Sequence, residues 1–291
     1  MDDVMRRDPD LLRQLAQRAD QISAEGSYVN AQGQAVKLPM AACLDGCRLV
    51  SPDQWASILA LTPSDCGRPT QFLVTAESTL AALYRMVVSE GKRRVCCLNF
   101  ASARNAGGGY RNGALAQEET LARASGLVPT LERHGTYYAV NRAESSLLYT
   151  DHAIWSPAVP FFADDDGNLL NEVYVADVIT MPAPNLGAMR TESDILAVPD
   201  TFRRRIAMVL ALAAQGGVDH LVLGAWGCGA FANHPDLVAR WFAEELAKPR
   251  WARVFISIDF AIYETSKRRP CLPSFVRALG DAGLVCDGGT R

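Results

Sequence analysis

Histidine is scarce in this chain, and no obvious metal site or membrane segment is present. The 291 residues hold four histidines, His134, His152, His220 and His234, with no i,i+4 pair among them. The eight cysteines (Cys43, Cys47, Cys66, Cys96, Cys97, Cys228, Cys271 and Cys286) include no CxxC pair. Structural zinc needs tighter pairing than an isolated Cys43-x3-Cys47, so reduced thiols are expected and no metal or other cofactor is assigned. No apolar run approaches the roughly eighteen residues of a membrane span. The start, MDDVMRRDPDLLRQ, is charged throughout and unlike a secretory signal, so the expected location is the cytoplasm. An excess of positive charge is also missing: the net charge is −3 and the pI about 5.9. Without a global positive field there is no basis for a nucleic-acid groove, and a polyanionic ligand has to be held by local groups.

What is present is an alternation of strand-like and helix-like segments. Leu11, Leu12, Leu15, Ala16, Ala19 and Ile22 form one stripe at helical spacing over residues 8–24, and Gly26 offers a stop. SYVNAQGQAVKLP reads as a short hairpin, and residues 49–69 as a junction. From there TQFLVTA, RRVCCLNFA, EVYVADVIT, HLVLGAW and RVFISIDFAIY read as strands. They are separated by helical stretches beginning near Ser78, Gln117, Pro199 and His234, with a last helix near PSFVRALGDAG; residues 145–167 read as irregular. Strands apolar enough for burial on both faces predict a three-layer α/β/α fold. The expected division is an N-terminal helix and hairpin extension over residues 1–60, packed on a main domain over residues 61–291.

Two glycine-rich loops follow buried strands: NFASARNAGGGY…QEE and LGAWGCGAFANHP. In open α/β sheets ligands bind at that edge, where glycine allows positive φ and a helix N-terminus favours an anion. Two such loops suit a diphosphate, although either alone could be a tight turn. Neither has the lysine of a Walker loop, and neither fits the dinucleotide fingerprint. Glu118 and Glu119 are adjacent in a helix's first turn, their side chains about 100° apart, so one can face a pocket while the other faces along it. An isolated acidic pair there could simply favour the helix dipole.

Gly107-Gly108-Gly109, the seven-residue spacer YRNGALA and Gln117-Glu118-Glu119 together resemble the GGG-spacer-QEE signature of poly(ADP-ribose) glycohydrolases. LNFASARNAGGGY, AQEETLARASGL, YTDHAIWSPAVPFF, ADVITMPAPN, LVLGAWGCGAF and the N-terminal region EGSYVNAQGQAVKL are similar to the bacterial branch, so the resemblance spans nearly the whole chain. It implies a macrodomain with a mixed central sheet. The implied activity is hydrolysis of the ribose–ribose O-glycosidic bond of poly(ADP-ribose), from chain ends, releasing ADP-ribose. Poly(ADP-ribose) or ADP-ribosylated protein is the implied partner, and a monomer is expected.

By the same resemblance Glu119 is the catalytic acid, and partial burial beside Glu118 would keep it protonated. Glu118 would hold ribose hydroxyls, and Gln117 would orient the loop or touch the substrate. Gly107, Gly108 and Gly109 would let the loop pass close to the diphosphate. Asn105 would bond the terminal ribose or serve as a turn residue. The amides of Gly227, Cys228, Gly229 and Ala230 would meet the phosphates, and Phe231 would pack on a ribose or be a buried loop aromatic. Asp164, Asp165 and Asp166 read as a solvated turn. Ala230, where many members carry valine, and the ANHP run depart from the branch. Two alternatives remain open: a non-catalytic ADP-ribose reader, and a hydrolase of ADP-ribose on a nucleobase or amino-acid side chain.

Overall fold

The structure, a computed structural model, describes residues 8–264 and 270–284; Cys286 lies outside them. The leading stripe forms helix α1 (Pro9–Glu25), started by the Asp8 carboxylate accepting from the Asp10 amide and ended by Gly26 at φ 65°. Leu12, Ala16, Ala19 and Ile22 are its buried side chains. Burial of Leu12 and of Ile22 contributes about 1.5–3 kcal/mol each. The hairpin follows as β1 (Ser27–Val29) and β2 (Ala35–Lys37), antiparallel and separate from the main sheet. It docks through Tyr28 Oη on the Leu170 carbonyl (2.8 Å) and Asn30 Nδ2 on the Asn171 carbonyl (3.2 Å).

The remaining elements, in chain order, are α2 (Met40–Gly46), β3 (Arg48–Val50), α3 (Trp55–Ala60), β4 (Gln71–Thr75), α4 (Thr79–Tyr84) and β5 (Val95–Phe100). Next come α5 (Gln117–Ala124), α6 (Leu127–Glu132), α7 (Gly135–Ala143), β6 (Ala153–Ala163) and β7 (Leu169–Met181). The chain continues through α8 (Glu192–Gln215), β8 (His220–Leu223), α9 (Pro235–Leu246), β9 (Ser257–Ala261) and α10 (Cys271–Asp281). The seven-stranded sheet has the order β3-β6-β7-β5-β8-β9-β4. Pairings from β7 through β4 are parallel, and those of β3, β6 and β7 antiparallel.

Period-two alternation assigns the two faces. On β5, Cys96 and Leu98 join the core cluster shared with α3, α8, α9 and α10; Val95 and Cys97 join the cluster shared with α1, α4, α5 and α6. Leu221 and Leu223 of β8 face the first cluster and Val222 the second. Helices therefore cover both faces, the three-layer mixed α/β/α arrangement expected.

Three expectations need correction. The segment read as irregular contains β6, eleven residues long and running through Pro157 and Pro160. β3 pairs only with residues 153–155, and beyond Trp155 that edge of β6 carries, among the described residues, only an isolated bridge between Ser125 and Phe161, so neither proline interrupts a continuous ladder. Pro157 also falls within a bulge, between Ser156 and Val159, where Ala158 has φ 47° and donates to Asp177 Oδ1 at 2.7 Å. Helix α8 begins seven residues before Pro199, which lies inside it. Its first turns are solvent-facing, with Leu196 72% exposed, so water can take the carbonyl that proline leaves without a donor. Finally, a border at residue 60 cuts through the sheet: β3 is one of its strands, and Val50, Trp55 and Ile58 belong to the core.

Candidate active site

The parallel strands β5, β8 and β9 end on one edge, and the loops leaving them line a cleft of about 1170 Å³. Residues 101–116 form one wall and residues 224–234 another. A third wall comes from Leu11, Leu12 and Leu15 of α1 together with the turn 164–167. Asp164 closes that turn itself, accepting from the Asp166 and Asn168 amides at 2.9 and 2.8 Å.

The first loop brings both glutamates to the cleft. Gln117 pins the start of α5 to β5: its Oε1 accepts from the Phe100 amide (2.9 Å), and its Nε2 donates to the Leu98 carbonyl (2.8 Å) and Thr79 Oγ1 (3.1 Å). These bonds fit the orienting one of its two expected roles, and Gln117 also lines the cleft. Glu118 is buried, with Oε2 accepting from the Ser102 amide (2.6 Å) and Oε1 from Asn99 Nδ2 (3.2 Å). Burial pushes its carboxyl up to about 8, and the neighbouring Glu119 carboxylate adds to the rise; the Ser102, Asn99 and Gly107 donors work against it. Of the two adjacent glutamates, Glu118 is the more deeply buried. Glu119 is half-buried, and its Oε1 accepts from the Gly109 amide at 2.9 Å.

Gly108 explains why this loop cannot carry a side chain. Its φ is 62°, and a Cβ there would stand 2.3 Å from Glu119 Oε1 and 2.9 Å from Glu118 Oε2. Gly109 lines the cleft beside it, and so does Asn105, which is exposed. Gly107, expected to approach the diphosphate, instead turns its α-carbon toward the Tyr110 ring and Val128 behind the loop.

The second loop is held from behind. Asn233, nearly fully buried, donates from Nδ2 to the Pro184 carbonyl (2.8 Å) and the Gly227 carbonyl (2.9 Å). The Cys228 amide, expected to face a phosphate, already donates to the Ala225 carbonyl at 3.1 Å, because the chain turns tightly there. The amides of Gly227, Gly229 and Ala230 make no backbone hydrogen bond among the described residues. Gly227, Cys228, Gly229, Ala230 and Phe231 all line the cleft. The Phe231 ring lies 6.2 Å from that of Tyr149, and its carbonyl accepts from the Gly187 amide at 2.9 Å.

Sequence reasoning missed several supporting residues. Asn99 is a fully buried polar residue at the end of an otherwise apolar strand, a signal visible in VCCLNF. It joins Glu118 to Thr180 Oγ1 (3.2 Å). Arg205, also fully buried, bonds Asp151 Oδ1 (2.8 Å) and the carbonyls of Tyr149 (2.9 Å), Thr150 (3.0 Å) and Pro182 (3.0 Å). It thereby fixes Tyr149, whose φ is 61°, under Phe231. Arg123, behind Glu119, donates to the Ala114 carbonyl at 2.8 Å, and burial lowers its guanidinium to about 10.

Fold and site together define a macrodomain-like hydrolase with paired glutamates at the ends of its parallel strands. The family model of the microbial-type PARG catalytic domain matches residues 16–164. The poly(ADP-ribose) glycohydrolase of Thermomonospora curvata is 40% identical over 92% of this chain and 99% of its own, with a TM-score of 0.86. A structure of the Thermomonospora enzyme bound to the inhibitor ADP-HPD gives 39% identity over the same shares and a TM-score of 0.83. The Deinococcus radiodurans enzyme in complex with ADP-ribose is 42% identical over 84% of this chain and 99% of its own, at a TM-score of 0.78. No curated protein matches the chain significantly. The chain belongs to the microbial-type poly(ADP-ribose) glycohydrolase family.

Proposed function

We propose that this chain removes ADP-ribose from the ends of poly(ADP-ribose), with Glu119 as the acid and base of the reaction. The observation that carries this reading is the disposition of the glutamates around Gly108: both line the cleft, Glu118 buried with one donor on each oxygen and Glu119 half-buried with Oε1 on a backbone amide. Glu119 delivers a proton to the departing ribose oxygen as the bond to the anomeric carbon breaks, then takes one from the water that adds to that carbon. Glu118 holds ribose hydroxyls. The amides of Gly227, Gly229 and Ala230 receive the diphosphate, whose charge lies near the developing oxocarbenium and stabilises it. Asn105 bonds the terminal ribose, and Phe231, seated on Tyr149, packs against it. The homologous complexes with ADP-ribose and ADP-HPD support this occupant for the cleft. Thiols free of disulfides at Cys43, Cys47, Cys66, Cys96 and Cys97 support a reducing, cytoplasmic location, and the proposed working form is the monomer.

The test is release of free ADP-ribose from poly(ADP-ribosyl)ated protein by the wild type and by Glu119→Gln. The expected loss is about 10²–10⁴-fold in kcat, with ADP-ribose binding retained. Equal release by both proteins would remove Glu119 from the mechanism, and binding without release by either would leave a reader.

A further inference from the structure

We propose that Asp20, on α1, is a positioning residue for the catalytic loop: its carboxylate fixes Tyr110 and Arg111, and through them the Gly109 amide that holds Glu119. This rests on the reading of Glu119 as the catalytic acid. Asp20 lies 90 residues from Tyr110 in the sequence, yet its Oδ1 accepts the Tyr110 hydroxyl. Its two oxygens also take the Arg111 guanidinium as a fork, Nε to Oδ2 at 2.8 Å and Nη2 to Oδ1 at 3.1 Å. The free arm of Arg111 reaches Glu132 Oε1 of α6 at 3.0 Å, and its guanidinium carbon lies 4.9 Å from the centre of the Tyr110 ring. That ring is buried among Ala16 of α1, Ala122 of α5 and Val128 of α6. Three helices thus meet on the residue that directly follows Gly109.

The loop's own hydrogen bonds set its shape but not its place. Gly108 N to Asn105 O, Asn112 N to Gly109 O and Ala114 N to Gly109 O all close within residues 105–114. Beside Gly109, the ties to the rest of the protein run through Tyr110 and Arg111 to α1 and α6, through Gly113, where a Cβ would meet the Pro9 carbonyl at 2.7 Å, and through the Ala114 carbonyl, which accepts from Arg123 of α5. Asp20 and Arg111 are partly exposed, with side chains 37% and 49% accessible, and such a pair adds little to global stability. A bidentate fork does add geometric definition. Losing it should therefore show in the placement of Glu119 more than in the melting temperature.

The test compares wild type, Asp20→Ala, Asp20→Asn, Tyr110→Phe and the Asp20→Ala/Tyr110→Phe double variant, all in the full chain. The readouts are kcat and KM for ADP-ribose release, thermal melting, and amide hydrogen exchange of residues 105–114. Asp20→Ala should lower kcat about tenfold while KM stays within about twofold, with faster exchange confined to that segment. Asp20→Asn, which keeps an acceptor for the Tyr110 hydroxyl, should recover part of the loss. The double variant should be no worse than Asp20→Ala, since both changes cut one connection. Unchanged kcat and exchange would overturn the proposal. So would a kcat loss that tracks the fall in melting temperature and adds independently in the double variant. Should the wild type itself release no ADP-ribose, the hydrolase reading fails separately. Exchange then decides for Asp20: faster exchange in residues 105–114 upholds the clamp, and unchanged exchange removes it.

Discussion

The two glycine loops of the cleft sit at equivalent places, each leaving the end of a parallel strand, but they are built oppositely. In residues 101–116 the polar groups are engaged: the Ser102 and Gly107 amides on Glu118, the Gly109 amide on Glu119, and Tyr110 and Arg111 on Asp20. In residues 224–234 the attachments lie behind the loop, through Asn233 and the Phe231 carbonyl, and three amides on the cleft side keep their hydrogens unshared with backbone among the described residues. The difference follows from the task each would perform. Proton transfer requires a carboxylate fixed in place before the substrate arrives, whereas an anion is best met by donors that have no other acceptor.

This contrast is broken most severely by adding one methyl group to the first loop. Gly108→Ala places a Cβ within 2.3 Å of Glu119 Oε1 at a backbone φ of 62°. Either the carboxylate leaves the Gly109 amide or the loop unwinds. The expected result is a kcat at least about 10²-fold lower, with a loss of about 1–3 kcal/mol in stability from the strained backbone. Steady-state kinetics and urea unfolding check both. Near-normal turnover would mean that the Glu119 position seen here is not the working one.

A smaller effect is expected at Glu118, and pH displays it. Its carboxyl is raised from 4.5 to about 8, so between those values the folded chain keeps a proton that the unfolded chain releases. Stability from this group is therefore fully present below about pH 4.5 and is lost as pH rises through 8. Glu118→Gln cannot ionise and lacks that slope. The melting temperature of wild type minus that of Glu118→Gln should fall by several degrees between pH 5 and pH 8.5 in scanning calorimetry. A flat difference would place the proton elsewhere.

Much of this was legible from local pattern. Apolar alternation locates β4, β5, β7, β8 and β9, and the turn residues locate the starts of α4, α5 and α9. β6 was hidden because proline argues against a strand unless the brevity of its neighbour is known, and a three-residue β3 carries almost no signal of its own. The paired glutamates and both loops were visible as motifs. Their division of labour was not: which carboxyl is buried depends on Asn99 and Ser102 closing over Glu118, and which amides stay open depends on how the chain turns at Cys228. Asp20 was legible only as a polar residue on an amphipathic helix, since its partners lie 90 residues away.

The mildest substitution sharpens the contrast most. At Gly229 a Cβ meets nothing within 4 Å, and its φ is outside the positive range that penalises other residues. Gly229→Ala should thus leave stability within about 0.5 kcal/mol of wild type, or raise it slightly by restricting the unfolded chain. The methyl would nonetheless stand beside an amide offered to the diphosphate, so ADP-ribose affinity should drop several-fold, about 1 kcal/mol for one weakened hydrogen bond. Titration calorimetry with ADP-ribose, and with adenosine as a ligand lacking the diphosphate, separates the cases. A loss confined to ADP-ribose puts the phosphates on this loop. Equal losses for both ligands would mean that the methyl obstructs the cleft as a whole, and no loss would move the phosphates away from Gly229. In the first case the same change, one methyl on a glycine, ruins the loop that holds carboxylates and only weakens the loop that offers amides.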